Sequence, residues 1–280
     1  MRIGFSVVLL LAVGAGDTFS LARGDERTVE ARHGVVVSVS APGSDVGLEI
    51  LKQGGTAVDA AVATAFALAV TYPAAGNIGG GGFMMVHPGA GKQPVLIEYR
   101  ETAPKAAHRD MFANDLSRYG HKVVGVPGTV RGLALAHRRF GVVPWKDLVM
   151  PAVRLAEEGF AIDAPLAASL NRLLADAKDF AELQRVFGRT DKRPWKAGDR
   201  LVQKDLAKTL RRIAEDGPDA FYEGPIADQI VAEMKAGGGL ITKEDLQNYR
   251  ANLRKPIHGT YRGYDIYGPS PAKLGRHLPG

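Results

Sequence analysis

The stretch Ala57 to Val70, AVDAAVATAFALAV, constrains this chain more than any other. Thr56 and Asp59 form a capping-box pattern that opens a helix there. The helix is apolar almost all round, so it has no face to give to water. It is also too short to span a membrane, and Asp59 interrupts it. The pattern therefore predicts a core helix buried between layers, with other elements packed on several of its sides.

The rest of the chain offers those elements. The β-branched run Gly34 to Ser40 reads as a buried strand. Asp45 to Gln53 reads as a short helix stopped by Gly54-Gly55. Phe83 to His87 and Val95 to Tyr99, joined by a Pro-Gly loop, read as a β-hairpin. Helical patterns follow over Thr129–Phe140, Trp145–Glu158, Ala164–Asp179, Gln203–Asp216 and Pro225–Ala236. Thr242 and Asp245 repeat the capping box, and Pro256–Tyr261 with Tyr264–Tyr267 read as a last hairpin. With no repeat or long linker, one domain is expected, its two ends sharing a sheet, since an isolated hairpin is marginal in water.

The N-terminus reads as a targeting segment. Arg2 precedes the apolar run Ile3 to Ala15, and Ser20-Leu21-Ala22 supplies small residues for cleavage after Ala22. Residues 1–22 are therefore expected to be a signal peptide. The remainder is expected to be periplasmic or secreted, with no stable membrane anchor.

Of the 280 residues, 45% are hydrophobic and 24% charged, which excludes a disordered tail. The absence of cysteine excludes a thiolate nucleophile, a cysteine zinc site and an iron–sulfur cluster within these residues. The net charge of +6 is concentrated between Arg185 and Glu215, where ten basic residues face four acidic ones. Without interleaved aromatics this reads as a solvated helical face rather than a nucleic-acid site. The seven histidines never pair at ligand spacing on one helix, so no metal is expected. There is no Gly-x-Ser-x-Gly elbow and no phosphate-binding loop.

Two features could carry chemistry. Gly79 to Gly82 would let a backbone approach another segment without Cβ clashes, and would tolerate positive φ. Arg100 follows a strand and precedes the breaker at Pro104, where a guanidinium could clamp a carboxylate bidentately. The alternative for Arg100 is a structural ion pair with Glu98 or Glu101.

GGTAVDAAVATAFALAVTYP, GNIGGGGFMM, EYRETAP and VGVPGTVRGL, in that order, resemble the large subunit of the γ-glutamyltranspeptidases (glutathione hydrolases). The likeness runs from about Gly34 to Pro271. Thr56 stands where the family usually has asparagine, and either residue caps a helix. The resemblance implies an α+β class with the four-layer αββα N-terminal-nucleophile hydrolase fold, here incomplete. It implies a self-cleaving precursor whose small subunit begins with a nucleophilic threonine. The reaction would move a γ-glutamyl group from glutathione or related amides to water, an amino acid or a peptide, with no cofactor. Mapped by motif, the family's α-carboxylate-binding arginine falls on Arg100.

No Thr-Thr pair occurs in these residues, so the resemblance assigns no catalytic residue to them. Residues 23–280 are expected to be a partial large-subunit domain, inactive without the small subunit of the same precursor. Back-translation of Lys273 to Gly280, shifted by one base, can read Ser-Ser-Gly-Gly-Ile-Cys-Leu, as the family would continue, so residues 272–280 are expected to be out of frame. A related acylase acting on a β-lactam side chain or a polyglutamate stays open, as does a non-catalytic remnant.

Overall fold

The computed structural model describes residues 29–113 and 119–269. The signal-peptide reading and the frame break at 272–280 both lie outside the described residues. Residues up to Val35 and residues from Val36 onward form two separate units; the elements below belong to the second.

In chain order these are α1 (Ala41–Lys52), α2 (Ala57–Thr71), β1 (Phe83–Val86), β2 (Val95–Glu98), α3 (Thr129–Phe140), α4 (Trp145–Glu158), β3 (Phe160–Ala161) and α5 (Ala164–Asp176). Then come α6 (Ala181–Phe187), β4 (Arg200–Leu201), α7 (Lys204–Asp216), α8 (Gly224–Ala236), α9 (Lys243–Asn248), β5 (Asn252–Arg254), β6 (Ile257–Tyr261) and β7 (Tyr264–Gly268). The class is α+β.

Helix α2 behaves as its composition requires. Eleven of its fifteen residues are buried, and it packs against α1, α3 and α4. Phe66, Val62 and Val70 are wholly buried, each stabilising the fold by about 1.5–3 kcal/mol. The capping box forms: Thr56 Oγ1 accepts from the Asp59 N–H, and Asp59 accepts from the Thr56 N–H. Asp59 is fully buried and also accepts from the Val142 N–H at 3.0 Å, which ties the start of α2 to the α3–α4 connection. Beyond α4, α7 continues the layer, with the Trp145 indole N–H donating to the Ile213 carbonyl at 2.9 Å.

β1, β2 and β5 form an antiparallel three-stranded sheet in that order, with Phe83 opposite Glu98 and Leu96 opposite Arg254. The 3-residue β5 had no visible period, yet it brings the late chain to β2. β6 and β7 pair only with each other among the described residues. The two ends of the chain thus share a sheet through β5, not through the last hairpin.

Gly34 to Ser40 is not a strand. Val35, Val37 and Val39 are exposed, while Val36 lies against the core and Ser40 is buried. The serines are engaged by helices instead. Ser40 Oγ caps the Gly43 N–H and donates to Thr71 Oγ1, and Ser38 Oγ lies 2.8 Å from Ser44 Oγ. That cap, with Pro42 in the first turn, starts α1 four residues before the apolar pattern does. The long Ala164–Asp179 helix likewise stops at Asp176, and α6 follows as a separate helix.

Candidate functional site

Arg100 lies just past the end of β2, on a segment held by three other parts of the chain. Tyr99 exchanges two backbone hydrogen bonds with Gly82, at 2.9 and 3.2 Å, which extends the β1–β2 ladder by one pair. Thr102 and Val126 exchange two more, at 2.8 and 3.3 Å. Between these tethers, the phenol of Tyr249 donates to the Arg100 carbonyl at 2.8 Å.

The glycine run, to which Gly82 belongs, also approaches the segment closely. A Cβ on Gly81 would strike the Tyr99 carbonyl oxygen and lie 2.7 Å from the Glu101 nitrogen. None of Gly79 to Gly82 has positive φ. The run therefore serves close approach, and its tolerance of left-handed backbone goes unused. Its own position is fixed by Gly80, whose carbonyl accepts from the Gly128 and Thr129 N–H groups at the start of α3. Asn77 Oδ1 completes the tie, accepting from the Gly80 N–H at 2.7 Å and the Thr129 hydroxyl at 3.1 Å. Gly128 is equally constrained: a Cβ there would meet both the Tyr99 carbonyl and the Tyr249 hydroxyl.

The guanidinium of Arg100 points away from this rigid base. Its side chain is 53% exposed, and Nε lies 3.3 Å from Glu101 Oε2. Glu98, the other candidate partner, pairs with Arg254 of β5 instead. A single ion pair holds a half-exposed arginine side chain only weakly.

Beneath Arg100 lies a buried phenolic cluster. Tyr249 stacks on Tyr222 with ring centroids 6.1 Å apart and an interplanar angle of 12°. Tyr222 is wholly buried; its hydroxyl accepts from the Arg131 N–H at 3.1 Å, and the Arg131 guanidinium sits 4.4 Å over its ring. Arg131 in turn pairs with Asp219. Burial pushes the phenols of Tyr99, Tyr222 and Tyr249 above the usual tyrosine range. The neighbouring phenols and Glu101 push Tyr249 further, so it keeps the proton that it donates to Arg100.

The basic stretch is largely paired. Arg185 meets Glu182 and Asp205, Arg189 meets Asp191 and Asp199, Arg193 meets Asp191, and Arg211 meets Glu157. The Arg189 guanidinium, helped by the Arg193 backbone N–H, holds the Asp191 carboxyl well below its usual range. Arg200 donates to the carbonyls of Glu158 and Gly159 at the end of α4. Among the described residues no three His, Asp or Glu side chains gather as metal ligands would, and no helix is long and apolar enough to cross a membrane.

Sequence reasoning singled out Arg100 and the glycine run, and the structure brings the two together. It missed Tyr249, an isolated tyrosine after a six-residue helix, for which no periodicity or motif gives a signal. Gly128 lay inside the VGVPGTVRGL motif, but nothing in that motif showed what it touches.

A sequence model of the family described as gamma-glutamyltranspeptidase matches residues 43–278. The glutathione hydrolase proenzyme of Escherichia coli (strain K12) is 47% identical over 258 residues, covering 89% of this chain and 44% of that protein. The chain spans less than half the length of this relative and of the Pseudomonas sp. (strain A14) glutathione hydrolase proenzyme. The crystal structure of Helicobacter pylori gamma-glutamyltranspeptidase superposes with a TM-score of 0.84 at 40% identity, over 88% of this chain and 72% of that one. Cephalosporin acylase from Bacillus halodurans gives 0.78 at 32% identity, over 90% of this chain and 49% of that one. These neighbours share the α+β N-terminal-nucleophile hydrolase fold.

Proposed function

Because the chain belongs to the gamma-glutamyltranspeptidase family, we propose that it is the large-subunit part of an exported enzyme that transfers or hydrolyses γ-glutamyl groups. Residues 1–22 serve as signal peptide and residues 23–280 as large-subunit domain. A small subunit from the same precursor, released by self-cleavage, supplies an N-terminal threonine as nucleophile. The threonine hydroxyl attacks the γ-carbonyl of glutathione or a similar amide, the amine leaves with a proton, and the γ-glutamyl ester passes to water or an amine.

In this reading Arg100 binds the α-carboxylate of the glutamyl group and so sets the distance from γ-carbonyl to nucleophile. The observation that carries it is the contrast at Arg100: a backbone fixed by Gly82, Gly81, Val126 and Tyr249 beneath a half-exposed guanidinium. A clamp needs that combination of a rigid base and an accessible charge.

The test is kinetic. In the full-length precursor, Arg100→Ala is expected to raise KM for a chromogenic γ-glutamyl anilide about 10- to 100-fold, the size of a lost charge-assisted pair, with self-cleavage intact. An unchanged KM would move the carboxylate clamp elsewhere. Residues 1–280 alone are expected to show no turnover, and turnover there would refute the assignment of the nucleophile. The likeness to a cephalosporin acylase supports a second reading. Preference for an acyl group lacking an α-carboxylate would favour it.

A further inference from the structure

Resting on the reading of Arg100 as the carboxylate clamp, we propose that Tyr249 is a positioning residue for that clamp, acting through the Arg100 main chain. Arg100 lies between two backbone tethers, the Tyr99–Gly82 pair and the Thr102–Val126 pair. Its carbonyl is instead held by the Tyr249 phenol, 149 residues away in sequence and 2.8 Å away in space. That bond sets the tilt of the Arg100–Glu101 peptide, and the tilt decides where a long flexible side chain starts.

Tyr249 is suited to the task because it cannot move itself. It is 4% exposed. Its ring lies flat against Tyr222, which is held in turn by the Arg131 N–H at its hydroxyl and the Arg131 guanidinium over its face. Arg131 belongs to α3, whose first residues bind the Gly80 carbonyl. The column Arg131–Tyr222–Tyr249 and the glycine run therefore both contact the Tyr99–Glu101 segment, and α3 joins the two. Gly128 leaves room for the phenol, since a Cβ there would collide with it. The phenol is protonated at neutral pH as any tyrosine is, and burial raises its pKa further.

The experiment compares two γ-glutamyl anilides on the full-length, self-cleaved protein, one with a free α-carboxylate and one with an α-carboxamide. Tyr249→Phe removes the donor and keeps the ring. Its expected effect is about a five- to tenfold rise in KM for the carboxylate substrate, the size of one lost hydrogen bond, with kcat nearly unchanged. The carboxamide, which the clamp cannot hold, should show no change. Replacing Tyr249 by 4-aminophenylalanine, which restores a donor at the same place, should return KM toward the parent value, and shows that the site accepts substitution.

The inference is overturned if Tyr249→Phe leaves KM unchanged, raises it equally for both substrates, or is not rescued by the amino analogue. Arg100→Ala run in parallel separates the two levels. A raised KM there with an unaffected Tyr249→Phe sinks the positioning role alone. An unaffected Arg100→Ala sinks the clamp and the inference with it.

Discussion

The glycine run makes a graded prediction, because its members look alike in sequence and differ in surroundings. A Cβ on Gly79 would meet nothing within 4 Å, whereas the three atoms nearest one on Gly81 are all backbone: the Tyr99 carbonyl oxygen, the Glu101 nitrogen at 2.7 Å and the Arg100 carbonyl carbon at 2.9 Å. Ordinary Cβ contacts begin near 3.4 Å, so Gly81→Ala must push two backbone segments apart by close to an ångström. No side-chain rotation can absorb this. Overpacking of this kind costs about 1–3 kcal/mol. Parting the segments also weakens the two Gly82–Tyr99 hydrogen bonds, each worth about 1 kcal/mol. Against this, alanine restricts the unfolded chain and returns about 0.4–1 kcal/mol. The net loss is roughly 2–4 kcal/mol for Gly81→Ala, while Gly79→Ala should stay within about 0.5 kcal/mol of the parent. Thermal unfolding of the two variants side by side reads the difference, expected as a fall of roughly 4–10 °C for Gly81→Ala alone. Equal midpoints for the two variants would refute the close-approach argument and leave the run as an ordinary loop.

Two other predictions concern the body of the fold. Asp59→Ala removes the carboxylate shared by the Thr56 and Val142 N–H groups, and should destabilise by about 3 kcal/mol, combining a lost cap with an orphaned donor; urea unfolding measures it, with Thr56→Ser as a variant that keeps the cap. Tyr99, Tyr222 and Tyr249 have pKa values raised by burial. Above about pH 10 the unfolded chain therefore releases protons that the folded chain retains. Their contribution to stability is complete below that pH and is lost as pH rises through the folded-state values. Phenolate absorbance should accordingly show a late-titrating fraction coincident with alkaline unfolding, and a single step near pH 10 in the folded protein would contradict the burial.

What could be read from the sequence was local. Thr56 with Asp59, Gly141 and Gly159 mark helix ends by chemistry that acts within a turn, so α2, α3 and α4 fall where the pattern predicts. The Gly34–Ser40 expectation failed because a β-branched run has strand propensity whether or not a partner strand lies beside it. Only the fold showed that Ser38 and Ser40 serve α1 instead. Arg100 was legible as a charge at a strand end. Its supports were not, because Tyr249, Gly128 and Val126 reach it from distant segments whose approach no spacing encodes. The charge surplus was likewise visible as a number, while its dispersal into ion pairs depended on which acids the helices bring near.

The hydrogen bond from Tyr249 to Arg100 also sets an order in time. A chain emerging N-terminus first can close the Gly82–Tyr99 ladder soon after residue 99 appears. The Arg100 carbonyl must wait for a phenol 149 residues later. At roughly 5–20 residues per second the delay is about 7–30 s, long compared with the microseconds in which a hairpin forms. During that interval Arg100 can be held by the Gly82–Tyr99 and Thr102–Val126 backbone pairs on either side, but not at its own carbonyl. The brace at the Arg100 carbonyl is therefore the last of these local contacts to form, although Arg100 lies in the first half of the sequence.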